Sequence, residues 1–238
     1  VVASSVPANV TVNCGNIPEV PTVSFTDACD PAPVVTYNQV STRGTNPNNA
    51  NYYNYTLTRT WYATDVTGHV SPTVSQVITV QDIEAPVVVP ATIPSDITLN
   101  CQDVIPAAPT VLFTDNCDAD VSIFYNVVST KGTNPANASF YNYTLTRTWF
   151  ASDASNNIST TVTQIVTVHD VTNPSFVSVP ANLTIYTAAD CSYNASNTLT
   201  GTATATDNCY FPTVSFQDEL IAGANAGQWT INRTWKAQ

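Results

Sequence analysis

The hexapeptide TLTRTW occurs at Thr56–Trp61 and again at Thr144–Trp149, and a looser copy, INRTW, occupies Ile231–Trp235. Longer segments repeat around the first two copies: STRGTNPNNANYYNYTL begins at Ser41 and STKGTNPANASFYNYTL at Ser129. Self-similarity at a fixed period of roughly 90 residues is the signature of tandem structural units. The sequence therefore predicts three repeats, at residues 1–84, 85–172 and 173–238.

Each repeat has the pattern of β-structure. Short runs of β-branched and aromatic residues, several with period-two alternation, are interrupted by clusters such as GNIPEVP and RGTNPNNAN. No window of helical length shows a clear 3.6-residue apolar period. We therefore predict an all-β fold of tandem immunoglobulin-like β-sandwich repeats. The short links VQDIEAP and VHDVTNP each end in proline, which favours an extended rod.

The third repeat is incomplete in this sequence. After Trp149 the second repeat continues with FASDASNNISTTVTQIVTVHD, whereas only KAQ follows Trp235. The missing segment carries the last predicted strand of the repeat. Either the chain continues in the natural protein, or a neighbouring subunit supplies the strand by β-addition.

The low charge content and the negative net charge argue against nucleic acid and anionic lipid as binding partners. Only 10% of the 238 residues are charged, against about 25% in typical domains, and the net charge is -11. Six Lys and Arg residues cannot build a nucleic-acid interface or a polybasic lipid anchor. The apolar runs are also too short for direct membrane insertion, which needs about 20 residues. Six cysteines in such a chain indicate an oxidising, extracellular location.

The cysteines come as one pair per repeat, so we expect structural disulfides inside the repeats. Closing a loop of about 15 residues stabilises a fold by roughly 3 kcal/mol. A zinc or redox site would need a CxxC motif or a nearby histidine, and the sequence has neither. The expected pairs are Cys14–Cys29, Cys101–Cys117 and Cys191–Cys209.

The Arg-Thr-Trp strand predicts an internal fastening. Alternation places Leu57, Arg59 and Trp61 on one face, which should be the core face. A buried guanidinium needs a partner, and an aspartate precedes the second cysteine of every repeat. We predict an Arg–Asp pair beside the tryptophan, with the guanidinium stacked on the indole. The alternative leaves Arg59 on the open face of the sheet. The predicted sets are Arg59, Asp27 and Trp61; Arg147, Asp115 and Trp149; and Arg233, Asp207 and Trp235.

Acidic residues in the links are candidates for calcium. Asp82, Glu84 and Asp170 lie where one repeat passes into the next. Calcium takes six to eight oxygen ligands, many of them carboxylates. The alternative is that these side chains cap turns through their own oxygens. Calcium is the one cofactor that the sequence brings into consideration.

No catalytic constellation is evident. His69 and His169 occupy non-equivalent positions and belong to no metal-spaced cluster or nucleophile elbow. The paired carboxylates recur with the repeat, which is unusual for a catalytic site, so we expect no enzyme activity. The aromatic stretches NYYNY and SFYNY are candidates for a platform that binds surface polysaccharide, although a strand entering the sandwich explains them equally well.

Asn-x-Ser/Thr sequons are frequent in this asparagine- and threonine-rich chain. Glycans at such sites would suit an exposed, charge-poor rod. The glycosylation candidates are Asn54, Asn137, Asn142, Asn182 and Asn194.

Several of these segments together resemble a known class of repeat. TDNCD, YTLTRTWFASDASNNIS, TQIVTVHDVTNP and the cysteine before IPAAP are similar to repeats of Bacteroidetes cell-surface proteins, in particular SprB-type gliding adhesins and the HYR-like immunoglobulin modules. Family repeats carry a further cysteine and a GN pair after ATD. This chain has DVTGHV and DASNNI there, so a second disulfide within a repeat is not expected.

The resemblance implies export by type IX secretion and display as a long surface filament used in adhesion or gliding motility. We therefore expect a stalk segment whose partners are neighbouring repeats or subunits of the same protein. Two other functions stay open. One is a pilus-like filament subunit completed by strand donation, and the other is a carbohydrate-binding module.

Overall fold

The computed structural model describes residues 2–3, 5–225 and 227–238. The chain is nearly all β, and the predicted all-β fold of immunoglobulin-like β-sandwich repeats is confirmed. Within the described residues the strands are β1 (Val2–Ala3), β2 (Val10–Asn13), β3 (Phe25–Thr26), β4 (Val34–Ser41), β5 (Tyr55–Thr64), β6 (Val74–Gln81), β7 (Val87–Val88), β8 (Ile97–Asn100), β9 (Phe113–Thr114), β10 (Ser122–Ser129), β11 (Tyr143–Ser152), β12 (Val162–His169), β13 (Ser175–Ser178), β14 (Thr204–Thr206), β15 (Val214–Ala222) and β16 (Trp229–Ala237).

In the part of the chain that the structure describes, helical structure is confined to single turns. Three 3-10 turns occupy Ala50–Tyr52, Pro90–Thr92 and Ala138–Phe140, and one α-helical turn occupies Asn197–Thr200. In the described part of the chain, no helix is long and apolar enough to cross a bilayer.

The first repeat is built on a four-stranded sheet in the order β2-β6-β5-β4. Strand β5 pairs antiparallel with both neighbours, whereas β2 runs parallel to β6, with Asn13 opposite Gln81. Parallel strands end at the same edge of a sheet. The end of β2 at Asn13 therefore lies beside the end of β6, where the chain enters the second repeat.

The second repeat has the same topology. Its four-stranded sheet has the order β10-β11-β12-β8, and β8 again runs parallel to the last strand, with Asn100 opposite His169. Two-stranded ribbons accompany these sheets: β1 with β3, and β7 with β9.

The ribbon and the sheet of the first repeat enclose its core. Phe25 on β3 and Val23 pack against Trp61 and Ala63 of β5. Leu57, Ile78 and Val80 form a second cluster on the same face of the sheet. The buried residues of β5 alternate from Leu57 to Ala63, as strand geometry requires. The equivalent cluster of the second repeat is Val111, Phe113, Trp149, Ala151 and Val162.

The third repeat has a reduced set of strands. It consists of two antiparallel pairs, β13 with β14 and β15 with β16. Strand β16 corresponds to β5 and β11 but is hydrogen-bonded to one neighbour, within the described residues, instead of two. Residues 183–185, at the position of β2 and β8, are not in a strand. Among the described residues, the third repeat has no strand equivalent to β6 or β12, with which β2 and β8 pair.

The chain divides into two compact units. The first comprises Val1–Pro94, Ala108–Asn126 and Thr148–Thr163, and the second comprises Ser95–Ala107, Val127–Arg147 and Gln164–Gln238. Each unit contains part of the second repeat, and the repeat boundaries drawn from the sequence stay a prediction.

Candidate functional site

The cysteines of successive repeats are joined by disulfides. Cys14 bonds to Cys117 with 5.9 Å between the Cα atoms, and Cys101 bonds to Cys209 with a Cα separation of 6.0 Å. Both Cα separations lie within the usual range for disulfides. We call the surroundings of Cys14–Cys117 the first joint and those of Cys101–Cys209 the second joint. In both, the first cysteine of one repeat bonds to the second cysteine of the next.

The predicted pairing inside repeats, Cys14–Cys29, Cys101–Cys117 and Cys191–Cys209, is therefore wrong for the four bonded cysteines. Cys29 and Cys191 are exposed free thiols among the described residues. The reason lies in the parallel pairing of β2 with β6 and of β8 with β12. This pairing places Cys14 and Cys101 at the end of the sheet from which the chain leaves the repeat.

The second cysteine of each repeat sits in an aspartate-capped turn. In all three repeats the aspartate two residues earlier accepts a hydrogen bond from the cysteine backbone N–H, at 2.8 to 2.9 Å. The bond from the N–H of Cys29 lowers the pKa of Asp27. A carboxylate in this role stiffens the turn locally. These aspartates thus fix the turn that carries the cysteine and do not pair with the arginines. They are Asp27, Asp115 and Asp207.

Asparagines accompany both disulfides. At the first joint, Asn13 Oδ1 accepts a bond from the N–H of Cys14 (2.8 Å), and Asn116 Nδ2 lies 3.7 Å from Cys14 Sγ. At the second joint, Asn100 and Asn208 repeat both contacts at 2.7 and 3.7 Å. Sequence reasoning missed these residues. The signal was the Asn-Cys dipeptide, which occurs at all four bonded cysteines and at neither free one.

The arginines of the first two repeats are held by neutral acceptors. Arg59 is 3% exposed and donates to the carbonyls of Pro18 (2.8 Å) and Glu19 (3.0 Å) and to Gln39 Oε1 (3.1 Å). The predicted pair with Asp27 is therefore wrong. Because Pro18 and Glu19 lie between Cys14 and Cys29, Arg59 attaches the segment between the two cysteines to the sheet.

Arg147 is held in the same way in the second repeat. It donates to the carbonyls of Pro106 (2.5 Å) and Ala107 (3.4 Å) and to Gln164 Oε1 (3.2 Å), so the predicted pair with Asp115 is also wrong. Backbone carbonyls leave no residue-type signature in a sequence, which is why the acceptors were not foreseen.

Arg233 keeps one contact of the other two, since it donates to the carbonyl of Ala195, between the two cysteines of its repeat, at 2.8 Å. It differs in having a charged partner as well. It makes a bidentate ion pair with Asp218, at 2.7 Å to each carboxylate oxygen, and not with the predicted Asp207. The pair lowers the pKa of Asp218 through its hydrogen bond with Arg233. The guanidinium carbon lies 4.1 Å from the ring centre of Phe216 and 5.7 Å from that of Trp235. The third repeat thus has a carboxylate partner and ring contacts for its arginine, with a different aspartate.

The first joint also holds buried acidic residues. Asp82 is 4% exposed, and its Oδ2 accepts a bond from Ser155 Oγ at 3.0 Å. Neither Asp82 Oδ1 nor the buried Oδ2 of Asp115 has a hydrogen-bond partner among the described residues. Burial raises the pKa of Asp82, because desolvation penalises the charged form. Asp118 accepts a bond from Tyr53 at 3.1 Å, and burial together with this bond raises the pKa of Tyr53 to about 12.

The calcium candidates are arranged unequally. Ligand atoms of Asp82, Asp115 and Cys117 lie within 4.8 Å of one another, but the sulfur of Cys117 is committed to the disulfide. Glu84 instead accepts a bond from Asn13 Nδ2 at 2.6 Å. Asp170 Oδ1 accepts one from the N–H of Thr172 at 3.0 Å. The carboxylates of Asp82 and Asp115 offer two unpartnered oxygens, to which a cation would have to add water or backbone ligands.

The predicted aromatic platform can be checked by the solvent exposure of its residues. Tyr53 is 6% exposed, which contradicts an open aromatic platform at NYYNY.

The glycosylation candidates differ in whether their amide nitrogen is already bonded. Asn54 Nδ2 donates to Ala50 O and to Ser155 Oγ, so a glycan there would break internal bonds. Asn142 Nδ2 donates to Ala138 O at 3.1 Å. The glycosylation candidates whose residues are exposed and whose amide nitrogen has no such bond are Asn137, Asn182 and Asn194.

Comparison with known proteins yields structural likeness only. Neither a protein-family model nor a curated protein sequence matches the chain. Among solved structures, human mucin-like protocadherin EC1-2 is 14% identical, with 71% of this chain and 98% of that one covered at a TM-score of 0.25. Drosophila N-cadherin EC1-3 is 17% identical, covering 71% and 67% at a TM-score of 0.26. Human protocadherin-24 EC1-2 is 14% identical, covering 68% and 94% at 0.29. TM-scores this low carry no argument about ligand or partner.

The class of protein follows from the fold and the joints. The chain is a tandem array of immunoglobulin-like β-sandwich repeats whose successive members are bonded through cysteines. Disulfides persist in oxidising compartments, which indicates an extracellular protein.

Proposed function

We propose that this chain is a non-catalytic, tension-bearing stalk segment of a repetitive extracellular adhesin. The two joints are the observation that supports this proposal. The Cys14–Cys117 bond spans 103 residues and the Cys101–Cys209 bond spans 108. The two loops overlap, since Cys101 precedes Cys117 in the chain.

The overlap determines how a pulling force travels through the covalent structure. Tension that enters at Cys14 crosses the first disulfide to Cys117, returns along the chain to Cys101 and crosses the second disulfide to Cys209. Strands β4 to β6 and β10 to β12 lie outside this path. Covalent bonds do not extend under forces that unravel a hydrogen-bonded sheet, so β4 to β6 and β10 to β12 would stay folded under load. Arg59 and Arg147 reinforce the arrangement, since each binds the segment between the two cysteines of its repeat.

Single-molecule force spectroscopy tests this proposal. The chain is stretched from its two ends, first oxidised and then in reductant. Reduction of both joints should release about 600 Å of additional contour length in total, because the two overlapping loops together free about 180 residues at roughly 3.5 Å per residue. The Cys29→Ser variant retains both disulfides and is the matched control. If oxidised and reduced chains extend equally, the stalk mechanism is wrong.

The finer assignment of the stalk is also a proposal. By its resemblance to SprB-type gliding adhesins and HYR-like modules, the protein is proposed to reach the surface by type IX secretion and to act in adhesion or gliding. Its partners are proposed to be neighbouring repeats of the same protein and surface polysaccharide. Deleting the gene and scoring both surface attachment and colony spreading tests this assignment. Unchanged attachment and spreading would exclude it.

A strand-complemented filament subunit is the second candidate function. The open edge of β16 is the observation that favours it, because β5 and β11 have strands on both sides. A synthetic peptide with the sequence of Val74–Gln81 should protect the amides of β16 from hydrogen exchange. A peptide of the same composition, rearranged to break the alternation, is the control. Equal protection by both peptides, or by neither, would count against strand donation.

We also propose calcium as a ligand of Asp82 and Asp115 at the first joint. The two buried, unpartnered carboxylate oxygens support this proposal, since an uncompensated pair of buried charges is costly. A bound cation would bridge the link after β6 and the cysteine turn of the next repeat, and so stiffen the stalk. The Asp82→Asn comparison in the Discussion tests it.

A further inference from the structure

The two disulfides obey one rule of connection, and the two free cysteines are the ones that this rule leaves open. A first-class cysteine is the earlier of the two in its repeat: Cys14, Cys101 and Cys191. A second-class cysteine follows the Thr-Asp turn: Cys29, Cys117 and Cys209. Each observed bond joins a first-class cysteine to the second-class cysteine of the following repeat. By that rule Cys29 requires a first-class partner and Cys191 a second-class partner.

Cys29 already has the local conformation of its bonded equivalents. Asp27 Oδ1 accepts bonds from the N–H groups of Cys29 (2.9 Å) and Asp30 (3.0 Å). At Cys117, Asp115 Oδ1 accepts the same two bonds at 2.8 and 3.0 Å. The turn thus forms without the disulfide, and it presents an exposed thiol. A preformed turn lowers the entropy that must be lost when the bond forms.

Cys191 is presented differently. Asp190 replaces the asparagine that precedes Cys14 and Cys101, and the N–H of Cys191 donates to the carbonyl of Ala188 at 3.0 Å. Residues 183–185 are outside a strand, whereas β2 and β8 align Cys14 and Cys101 by pairing with the last strand of the repeat. The two open ends therefore differ: Cys29 is preorganised, and Cys191 lacks the strand pairing that orients the other first-class cysteines.

We propose that Cys29 and Cys191 are linking sites, each forming a disulfide with a cysteine of the opposite class in another repeat of this kind. The contact is head-to-tail, and such contacts produce open chains when the rotation between members does not close a ring. The inference goes beyond the proposed stalk, because it holds or fails whatever the protein binds. It extends the covalent path through the segments 14–29 and 191–209.

The chemistry is thiol–disulfide exchange with a small disulfide as the oxidant. The thiolate of one cysteine attacks the oxidant, one thiol leaves, and the mixed disulfide is attacked by the second cysteine. One sulfur–sulfur bond forms between the proteins, and the bond in the oxidant is broken. The two electrons and the two protons end on the two released small-molecule thiols.

A second copy of the chain serves as the probe. Purified 238-residue chain is treated with oxidised glutathione and resolved on a non-reducing gel. Wild-type chain should give a ladder of linked multimers. Cys29→Ser alone and Cys191→Ser alone should each stay monomeric, whereas an equal mixture of the two should give a dimer and nothing larger. Both residues are exposed and unbonded, so the variants keep the two joints intact.

The mixed sample distinguishes pairing between opposite classes of cysteine from indiscriminate thiol pairing. A dimer formed by one variant alone in amounts equal to the mixture would show indiscriminate thiol pairing and overturn the rule. A wild-type chain that stays monomeric after oxidation would also overturn it. Neither result bears on the force measurement, which depends on the two joints already present.

Disulfide mapping of the protein purified from its source identifies where the partner resides. A peptide linking Cys29 to Cys191 would support the proposal with a second copy as the partner. A peptide linking either residue to an opposite-class cysteine outside this sequence would support it with a further repeat as the partner. Cys29 recovered as a free thiol, or bonded to another Cys29, would refute it.

Discussion

The first and third repeats carry the same Arg-Thr-Trp strand in different surroundings. In the first repeat β5 lies between β4 and β6, and Trp61 is 2% exposed. In the third, β16 has β15 as its neighbour within the described residues, Trp235 is half-buried and Trp229 is exposed. A strand pattern is thus buried only when both the opposite layer and the flanking strands are present.

The surroundings of the arginine side chain differ between the repeats in the same way. In the first two repeats the guanidinium is buried and bound to backbone carbonyls and a glutamine, whereas in the third it binds a partly exposed carboxylate in addition to a backbone carbonyl. Neutral acceptors suffice where the core excludes water and the geometry is fixed. At the open sheet, a charged partner is added to the neutral ones.

Removing the first joint should have the largest effect. The chain-entropy model assigns a disulfide that closes a loop of about 100 residues nearly 5 kcal/mol, and measured losses run from about 2 to 5 kcal/mol. We expect Cys14→Ser/Cys117→Ser to lose about 3–5 kcal/mol of unfolding free energy, followed by tryptophan fluorescence in urea. Cys29→Ser should be unchanged. A double variant as stable as the wild type would show that the joint does not hold the repeats together.

Replacing the arginines should rank second and should separate the repeats. Arg59→Met deletes a buried cation and leaves two carbonyls unpaired, so we expect a loss of about 2–4 kcal/mol. Arg233→Met removes a partly exposed ion pair, for which about 1 kcal/mol or less is expected. Hydrogen exchange of β5 and β16 amides measures both. Equal losses would contradict the difference in burial on which the comparison rests.

Calcium should act on the first joint and not on the second. At one hundred times its dissociation constant, a ligand of the folded state adds about 2.7 kcal/mol, and thermal melts with calcium or with a chelator detect this gain. Asp82→Asn should abolish the calcium response. It should also melt higher than the wild type in chelator, because it removes a buried charge. Asp170→Asn is the matched control and should respond as the wild type does. A wild-type melt that is indifferent to calcium excludes the site.

Acid should loosen the arginine of the third repeat alone, and this is the smallest effect. The pKa of Asp218 is lowered by Arg233. The pair therefore stabilises fully above the unfolded aspartate pKa of roughly 4, and its contribution is lost as the pH falls through the lower folded value. The Nε–H resonance of Arg233 in NMR spectra should shift between pH 5 and 2 (roughly the window in which a carboxylate with a depressed pKa titrates), whereas that of Arg59 should stay constant. A matching shift at Arg59 would indicate a carboxylate partner there.

Much of the fold was predictable because it is local or repeated. The recurrence of TLTRTW indicated the repeats, and the alternation from Leu57 to Ala63 correctly assigned the core face of β5. The candidate site was less accessible. The residue types were identified, namely the cysteines, the arginines and the aspartates, but their partners were assigned incorrectly. The bonding partner of each such side chain depends on which strand ends lie next to each other in the folded protein.

The class of fold, the cysteine chemistry and the strand that carries arginine and tryptophan could be predicted, since periodicity and side-chain alternation are properties of the chain alone. The pairing of the cysteines depends instead on tertiary contacts. Spacing along the chain favours Cys14 with Cys29, but the parallel pairing of β2 with β6 directs Cys14 toward the next repeat and Cys117. The acceptors of Arg59 were likewise decided by the fold, because a backbone carbonyl can belong to any residue and becomes a specific partner only when the loop is in place.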